Sequence, residues 1–487
     1  MAEDNLRDKA VSGVLWSSVG RFGAIALNFL SNLVLARLLM PDDFGAIGML
    51  YVFIAISNEF VLAGFGSALL QKKEPTQLDY SSVFWWNLAA SLVFYLILFF
   101  CAPAIARFYA LPELCLLLRV LSLSMVILAF TLVPSFWLQK QFRFRELSMR
   151  QLVATGVGTV VGIVMALLGC GVWSLVVSNL LGSLAGVMLL WRVSAWRPNR
   201  SFSLASLKEL FRFGGLMALS SFMESAYANL QNLIIGKRYT ASDLGYYTQA
   251  QKLENVPVST FAQIVNQVSF PLFAALQDDL ERLRETMRRN SKTTCYVVFP
   301  AMALLFIIAH PLITLLYGAK WDAAAPYFQL LCLYGMVFPL DALNTCVIKA
   351  LGRSGVYFVS RLALRVLGIG LLFAGVRFGI WGLLAAVVTM EYLCLVADGI
   401  INGRLIGYGL LAQIRDVGGY FLMAALLALG VYWAGGQLSW HPYLVMVVEV
   451  IVYAALFVLL SKLFRLEGYA TCREIVIQKF VHKSLKP

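Results

Sequence analysis

Fourteen long apolar stretches, separated by short segments rich in charge, proline and glycine, run along the 487-residue chain. A helix needs about 20 apolar residues to cross the hydrocarbon core of a bilayer, and each stretch is about that long. Because 60% of the residues are apolar and only 13% are charged, the chain cannot cover itself with polar surface in water. We therefore predict an all-α integral membrane protein with about 14 transmembrane helices, at 11–38, 44–70, 83–106, 114–138, 147–168, 172–191, 213–236, 246–274, 293–317, 326–348, 355–376, 379–402, 416–434 and 442–461.

The distribution of positive charge predicts the topology. Loops and tails on the side of both termini hold 28 Lys and Arg residues, and the loops on the opposite side hold five. By the positive-inside rule, both termini are cytoplasmic. The net charge of +13 is spread in short clusters between apolar runs, so no nucleic-acid partner is expected.

The sequence lacks the patterns that accompany several other kinds of chemistry. Its eight cysteines show no CxxC pair, its three histidines have no metal-ligand spacing, and no Walker loop or Gly-x-Ser-x-Gly motif occurs. No loop is long enough for a catalytic domain. We expect no catalytic residue, no metal and no cofactor. The N-terminal apolar run exceeds a signal-peptide core, so we expect it to remain as the first span.

The chain resembles itself at an offset of 200 residues. Asn32 to Arg37 (NLVLAR) matches Asn232 to Lys237 (NLIIGK), and Asp43-Phe44-Gly45 matches Asp243-Leu244-Gly245. Six spans separate the copies, so the repeats are parallel about the membrane normal, as in many transporters. The predicted organisation is an N-terminal lobe at 1–191, a cytoplasmic amphipathic linker at 192–212, a C-terminal lobe at 213–403, spans 13 and 14 at 404–464, and a basic cytoplasmic tail at 465–487.

Polar residues inside spans locate the predicted functional interior, because they are costly unless they face a cavity or a partner. The first two spans of each predicted lobe hold most of them. The amides are Asn28, Asn32, Gln249, Asn255, Gln263 and Asn266, and the carboxylic acids are Glu59, Glu224 and Glu254.

Arginine and lysine residues inside spans form a second group of candidates. Arg361 and Arg365 lie at i and i+4 on one helix face, and the planar guanidinium group suits phosphate oxygens. The alternative is that this pair forms salt bridges with Glu391, Asp341 or Asp398 in neighbouring spans. The other cations within spans are Arg21, Arg37, Arg119 and Lys252.

Several long segments resemble a known family. They include SGVLWSSVGRFGAIALNFLSNLVLARLLMPDDFG, GFGSALLQKKE, APAIARFYALPEL, GCGVWSLV, LIIGKRYTASDLGYYTQAQKL, FPLFAALQDD and LYGAKWDAAAP. They are similar to the polysaccharide transporter branch of the multidrug/oligosaccharidyl-lipid/polysaccharide exporter superfamily, closest to the colanic-acid-type flippases. The resemblance covers roughly residues 10–420.

This resemblance implies a flippase in the bacterial inner membrane that moves undecaprenyl-diphosphate-linked oligosaccharide, a repeat unit of O-antigen, capsule or exopolysaccharide, by alternating access. It also implies two six-helix lobes around a cationic lumen, with spans 13 and 14 outside the repeat. We expect Arg21, Lys252, Arg361 and Arg365 to bind the diphosphate and the six amides to contact sugars. Glu59, Glu224 and Glu254 would pair with cations or carry a coupling proton.

Two other functions fit the sequence less well. A cation-coupled drug or metabolite antiporter of the same superfamily would need an acidic lumen, and the excess of cations argues against it. A membrane glycosyltransferase, polymerase or ligase would usually carry a larger extracytoplasmic loop with catalytic residues. The expected partners are the polyprenyl-diphosphate oligosaccharide and membrane lipids, and the sequence identifies no polysaccharide polymerase partner.

Overall fold

The computed structural model describes residues 2–62 and 64–474, and no β-strand occurs in that part of the chain. The helices divide into two units. Unit 1 reaches to Gly245, and unit 2 begins at Tyr246. The boundary falls inside a helix that follows the second copy of the repeated Asp-x-Gly motif.

Unit 1 holds nine complete helices among the described residues, together with the first turn of α10. They are α1 (Ala2–Leu38), α2 (Pro41–Leu62), α3 (Phe65–Gln71), α4 (Gln77–Tyr109), α5 (Leu114–Leu121), α6 (Leu123–Lys140), α7 (Phe144–Leu167), α8 (Trp173–Val193), α9 (Leu204–Arg238) and α10 (Ala241–Ile264). Helix α4 begins with a capping box, in which the side chains of Thr76 and Asp79 each accept a backbone N–H of the other residue.

Unit 2 contains the rest of α10 and the helices that follow it. They are a π-helical turn (Val265–Ser269), α11 (Phe270–Ala275), α12 (Leu280–Ile307), α13 (Ala309–Tyr317), a 3₁₀ turn (Ala319–Ala324), α14 (Ala325–Ala350), α15 (Ser354–Val376), α16 (Gly379–Ile406), α17 (Leu410–Gly435) and α18 (Pro442–Leu463). The π-helical turn comes directly before Pro271, whose missing N–H interrupts the regular ladder.

Eleven helical segments among the described residues are long and apolar enough to cross a membrane, so the chain is a multi-pass membrane protein. Every predicted span overlaps a helix. Helices α1, α9 and α10, which correspond to predicted spans 1, 7 and 8, are not among the eleven. Spans 1, 7 and 8 carry many of the polar residues singled out in the sequence, and the total of fourteen stays a prediction.

The amphipathic patterns at 192–212 and 275–292 predict short helices on the cytoplasmic interface, but the helical parts of both segments belong to longer helices. Residues 194–203 have no regular secondary structure, and residues 204–212 continue without a break into the rest of α9. Residues 280–292 are likewise the first half of α12. In both cases the amphipathic start of the helix continues without a break into the rest of it, so no sequence signal marks an end.

The two copies of the repeat contact each other where α2 and α10 begin. A Cβ atom on Gly45 would lie 1.8 Å from the carbonyl oxygen of Ala241, and one on Gly245 would lie 2.1 Å from that of Pro41. These two contacts are related by the same offset of 200 residues as the repeated sequence motifs. Only glycine permits so close an approach of the two backbones.

Small residues also bring α7 and α8 together, because each helix contains a GxxxG motif, Gly158 to Gly162 in α7 and Gly182 to Gly186 in α8. A Cβ atom on Gly158 would lie 2.9 Å from the carbonyl oxygen of Ser178, and one on Gly182 would lie 2.6 Å from that of Ala154. The motifs therefore serve packing between neighbouring helices of unit 1.

The segment between α8 and α9 is bound along the first turns of α4. The hydroxyl of Ser81 accepts the N–H of Asn199 at 3.0 Å, and the hydroxyl of Ser82 accepts the N–H of Ser203 at 2.9 Å. The indole N–H of Trp85 donates to the carbonyl of Asn199 at 2.7 Å. These bonds satisfy backbone groups of a segment that has no secondary structure of its own.

Lys72 joins the same region from the loop after α3. Its ammonium group lies 3.1 Å from the carboxylate of Asp79 and 3.3 Å from that of Glu209. Burial by itself lowers the pKa of Lys72, but the two carboxylates outweigh burial and raise this pKa above its ordinary value. The ion pairs hold the start of α9 to the start of α4.

Candidate functional site

A charged cluster in unit 2 connects α14, α15 and α16. Nη2 of Arg361 donates to Oδ2 of Asp341 at 3.1 Å, to Oδ2 of Asp398 at 2.5 Å and to the hydroxyl of Thr345 at 2.5 Å. The Thr345 hydroxyl donates to Oδ2 of Asp398 at 3.0 Å. Asp341 and Asp398 are 6% and 0% exposed, so this is an ion pair inside the protein. We call these four residues the Arg361 cluster.

Helix periodicity explains how the cluster forms. Asp341 and Thr345 are four residues apart on α14, so they lie on the same face of the helix, one turn apart. Both present an oxygen to Arg361. Arg361 reaches them from α15, and Asp398 completes the group from α16. A buried guanidinium group needs such partners, because an unpaired charge in an apolar interior is costly.

Two further carboxylic acids and Arg365 interact electrostatically with this cluster. Glu391, on α16, interacts electrostatically with Asp341, Arg361, Arg365 and Glu254. Glu254, on α10, is 4% exposed, and its Oε1 lies 2.8 Å from where a Cβ atom on Gly335 would be. The missing side chain at Gly335 is what allows this carboxyl group to pack against α14.

Next to the Arg361 cluster lies a network of buried amides. Asn344 and Gln413 exchange two hydrogen bonds, at 3.0 and 2.8 Å, and the side chain of Asn402 donates to Oδ1 of Asn344 at 2.7 Å. All three residues are buried. Through this network α17, which belongs to the predicted extra helices, is joined to α14 and α16 of the repeat.

In the described part of unit 1, an arginine within a predicted span has neutral partners. The guanidinium group of Arg119, on α5, donates to the carbonyl of Phe99 at 3.2 Å and lies 4.4 Å from the centre of that residue's ring.

Two of the predicted glutamates interact with each other in unit 1. Helix α2 packs against α9, and Glu59 on α2 repels Glu224 on α9. Glu59 is half-buried and Glu224 is exposed.

The four predicted diphosphate ligands are not all in one place. Arg361 forms salt bridges with Asp341 and Asp398 in this conformation, which is the alternative to phosphate binding that the sequence left open. Arg365, one turn further along α15, interacts with Glu391. Arg21 and Lys252 are exposed on α1 and α10. Their role toward a diphosphate stays a prediction.

The predicted sugar-contacting amides also differ in their surroundings. Gln249 is buried, Asn32 and Gln263 are half-buried, and Asn28 and Asn255 are exposed. The side chain of Asn266 lies outside the part of the chain that the structure describes. Their contact with sugar stays a prediction as well.

Sequence reasoning missed four residues that matter here: Thr345, Asn344, Asn402 and Gln413. Thr345 is four residues after Asp341, and Asn402 is four residues after Asp398, so each extends a polar face that an acidic residue had already marked. That spacing was available as a signal. Gln413 had no such signal, because it lies in the first turn of α17 at the membrane boundary, where a polar residue is ordinary.

Comparison with known proteins identifies the class to which this arrangement belongs. The lipopolysaccharide biosynthesis protein WzxC of Escherichia coli strain K12 is 28% identical over 339 residues, covering 68% of each chain. The teichuronic acid biosynthesis protein TuaB of Bacillus subtilis strain 168 is 26% identical over 441 residues, covering 89% of this chain and 90% of TuaB.

Solved structures share the fold. The lipid II flippase MurJ in an inward closed conformation has a TM-score of 0.72 at 15% identity, covering 93% of this chain and 98% of MurJ. An inward-facing multidrug resistance MATE family transporter of the MOP superfamily has a TM-score of 0.59 at 16% identity, covering 86% and 98%. The polysaccharide biosynthesis protein family matches residues 34–326, more than half of the chain. The resemblance seen in the sequence is thereby confirmed: this chain is a member of the polysaccharide biosynthesis protein family, with the fold of the MOP-superfamily transporters.

Proposed function

We propose that this protein is a flippase that moves undecaprenyl-diphosphate-linked oligosaccharide from the cytoplasmic to the periplasmic leaflet of the bacterial inner membrane by alternating access. The observation that carries the proposal is a guanidinium group, that of Arg361, in the membrane-embedded part of a polysaccharide biosynthesis protein. Charged groups at that depth are costly and mark transport pathways. The names of the relatives, among them a succinoglycan biosynthesis transport protein of Rhizobium meliloti, support the class of substrate.

In this proposal Arg361, Arg365, Arg21 and Lys252 provide positive charge for the diphosphate. Guanidinium groups suit this task, because they donate two parallel hydrogen bonds to phosphate oxygens and stay charged at all physiological pH values. Arg361 has to leave Asp341 or Asp398 when it binds phosphate. The carboxylates thus hold the cation in place until the anionic substrate arrives.

The remaining polar residues have supporting roles in the same proposal. The amides of Asn28, Asn32, Gln249, Asn255, Gln263 and Asn266 donate and accept hydrogen bonds with sugar hydroxyls. Glu59, Glu224 and Glu254 pair with cations or carry a coupling proton. The prenyl tail stays in the lipid, since burying its apolar carbons in a polar interior would be unfavourable.

We also propose that both termini are cytoplasmic and that the two predicted six-helix lobes, 1–191 and 213–403, alternate the access of the substrate site. The excess of Lys and Arg in the loops on the side of the termini supports this orientation. The internal repeat supports the pair of lobes.

A flipping assay in proteoliposomes tests the proposed function. The purified full-length chain is reconstituted with undecaprenyl-diphosphate oligosaccharide in the outer leaflet, and a glycosidase added outside digests the glycan that has not been moved. We expect wild type to protect glycan, and Arg361→Ala/Arg365→Ala and Arg21→Ala to protect at least tenfold less at equal amounts of folded protein.

The matched control is Arg119→Gln, which also removes a guanidinium group from a predicted span, one that bonds with the carbonyl and the ring of Phe99. It should protect glycan within about twofold of wild type. If wild type protects no glycan but exchanges small organic cations across the membrane, the proposed function fails and the antiporter takes its place.

A further inference from the structure

The Arg361 cluster holds two carboxyl groups and a single guanidinium group in direct contact. Both carboxyl groups use Oδ2 to accept from the same Nη2 atom, and in each of them Oδ1 has no hydrogen-bond donor among the described residues. Donors therefore satisfy only half of the acidic oxygens. A buried carboxylate oxygen without a hydrogen-bond donor is unfavourable, so two ionised carboxylates are not the favoured state of this site.

The two carboxyl groups lie close together, because Oδ2 of each accepts from the same Nη2 atom, at 3.1 Å for Asp341 and 2.5 Å for Asp398. Two ionised carboxylates cannot hydrogen-bond, because both are acceptors only. When one of them carries a proton, it donates to the other, and the pair then has a single negative charge. That charge matches the single positive charge of Arg361, so the buried cluster becomes neutral as a whole.

The other ionisable groups around the cluster do not alter this balance. The other ionisable groups that act on the cluster and its neighbours are Tyr334 and Lys349 on α14, Tyr357 and Arg365 on α15, Glu391 and Cys394 on α16, and Glu254 on α10. Glu391 and Glu254 add negative charge, and Arg365 and Lys349 offset it. These added charges leave the excess of acid at the Asp341–Asp398 pair unchanged.

A proton suits this pair better than a metal ion does. No group of three His, Cys, Asp or Glu side chains among the described residues is arranged to hold a metal. Oδ2 of each carboxyl group already accepts from the Arg361 guanidinium, and Oδ2 of Asp398 also accepts from the Thr345 hydroxyl.

We propose that Asp341 and Asp398 form a proton-binding site that shares one proton while Arg361 is bound to them and takes a second proton from water when Arg361 turns to an anionic ligand. The second half rests on the proposed function, which supplies the diphosphate. When Arg361 leaves, the remaining carboxylate is buried without a counter-ion, and protonation neutralises it. Proton and diphosphate therefore bind together, and each raises the affinity of the other.

Infrared spectroscopy of the full-length chain without substrate tests the shared proton, and it does not depend on the flippase activity. A protonated carboxyl group has a C=O band separate from that of carboxylates, and the band shifts in D₂O. We expect Asp341→Asn and Asp398→Asn each to lose the band of one protonated carboxyl group, and the double variant to lose no more than either single variant.

This pattern is specific, because removing either member leaves a single carboxylate that is paired with Arg361 and ionised. The matched control is Asp416→Asn, which removes a carboxylate held by Arg288 through two 2.7 Å hydrogen bonds. It should lose no such band. Loss of no band in the two aspartate variants, or loss of two bands in the double variant, would overturn the shared proton. A band that appears only when sodium is removed would assign the site to that ion instead.

Proton uptake tests the link to the anionic ligand. Undecaprenyl diphosphate is added to the protein in weakly buffered detergent at pH 7, and a dye reports the protons taken up. We expect uptake of one proton per bound ligand in wild type, and none in the neutral variant Arg361→Gln/Asp341→Asn/Asp398→Asn.

Ligand binding that occurs in wild type without proton uptake would contradict the coupling and leave the flippase intact. If the infrared pattern holds but undecaprenyl diphosphate does not bind, the proton site stands and the proposed function fails. A folding defect in one aspartate variant leaves the other variant, together with the pH titration of the wild-type band, to decide.

Discussion

Arg119 in unit 1 and Arg361 in unit 2 are both arginines within predicted membrane spans, and both are half-buried, yet their partners differ. Arg119 bonds with a backbone carbonyl and an aromatic ring, which are neutral, and it has no carboxylate partner among the described residues. Arg361 bonds with two buried carboxyl groups and a hydroxyl. The first arginine is held by groups that no ligand replaces, whereas the second is held by groups that an anionic ligand can replace.

The same contrast extends to the surroundings of the two arginines. In unit 1 close packing rests on glycines that let backbones touch, as at Gly45 and Gly182. In unit 2 the helices around Arg361 are joined by charged and amide side chains. We infer that the polar groups around Arg361 are able to exchange partners, whereas these glycine contacts are not.

The largest expected effect is the loss of stability on replacing Arg361, compared with that on replacing Arg119. Arg361→Gln leaves Asp341 and Asp398 buried without their cation, and breaking such a pair lowers the free energy of unfolding by about 3–5 kcal/mol. Arg119→Gln loses a hydrogen bond and a cation–π contact, worth about 1–2 kcal/mol together. Unfolding in mixed detergent micelles measures both values. Equal losses in the two variants would remove the distinction between these sites.

The second prediction concerns the glycine contacts of unit 1. Gly45→Val adds a side chain at a position where even a Cβ atom would lie 1.8 Å from the Ala241 carbonyl oxygen. We therefore expect the unfolding free energy to fall by about 3 kcal/mol or more. Gly156→Val is the control, because no atom lies within 4 Å of its Cβ position. The same unfolding measurement applies, and a Gly45 variant as stable as the Gly156 variant would show that this backbone contact is dispensable.

The buried amides of unit 2 give the third prediction. Asn344→Leu leaves the amide groups of Gln413 and Asn402 without partners, at a cost of about 1–3 kcal/mol. Asn179→Leu in unit 1 removes an amide that donates to the hydroxyl of Tyr51 in a more exposed setting, so we expect about 0.5 kcal/mol or less. Thermal unfolding in detergent, followed by tryptophan fluorescence, compares the two. A larger loss for Asn179→Leu would reverse the contrast between the units.

The smallest effect is expected at Lys72. Its ion pairs with Asp79 and Glu209 are partly exposed, so Lys72→Ala should cost about 0.5 kcal/mol. Because the folded-state pKa of Lys72 is raised above its ordinary value of 10.5, this contribution is fully present below that pH and is lost only as the pH rises through the folded pKa. The difference in stability between Lys72→Ala and wild type should therefore be the same at pH 6 and pH 8. A difference that changes across this range would point to another titrating group.

Much of the fold was predictable, because apolar length and loop charge are properties of sequence. The all-helical membrane fold and the packing role of the glycines in α7 and α8 follow from such patterns, while the count of fourteen spans and the two six-helix lobes stay predictions. The continuity of α9 through residue 212 was not predictable, because no residue there stops the helix.

The candidate site was harder to predict, because a list of polar residues does not say which of them meet. Arg361 and Arg365 look alike in the sequence, and spacing does not reveal that Arg361 forms ion pairs with both Asp341 and Asp398. Which carboxyl group reaches which arginine depends on the rotation of α14, α15 and α16 about their axes. That rotation is set by the packing of all three helices, so the pairings named as an alternative could not be chosen from spacing alone.

The most direct test of this account is a distance measurement at Arg361. The full-length chain, with ¹⁵N in its arginine side chains, is prepared in lipid with and without undecaprenyl diphosphate, and solid-state NMR measures the nitrogen–phosphorus contact, assigned by its absence in Arg361→Lys. The account predicts a contact at hydrogen-bonding distance with ligand present, and the loss of the bond between Arg361 and Asp398. Bound diphosphate without this contact, while Arg361 stays on both carboxyl groups, would contradict it.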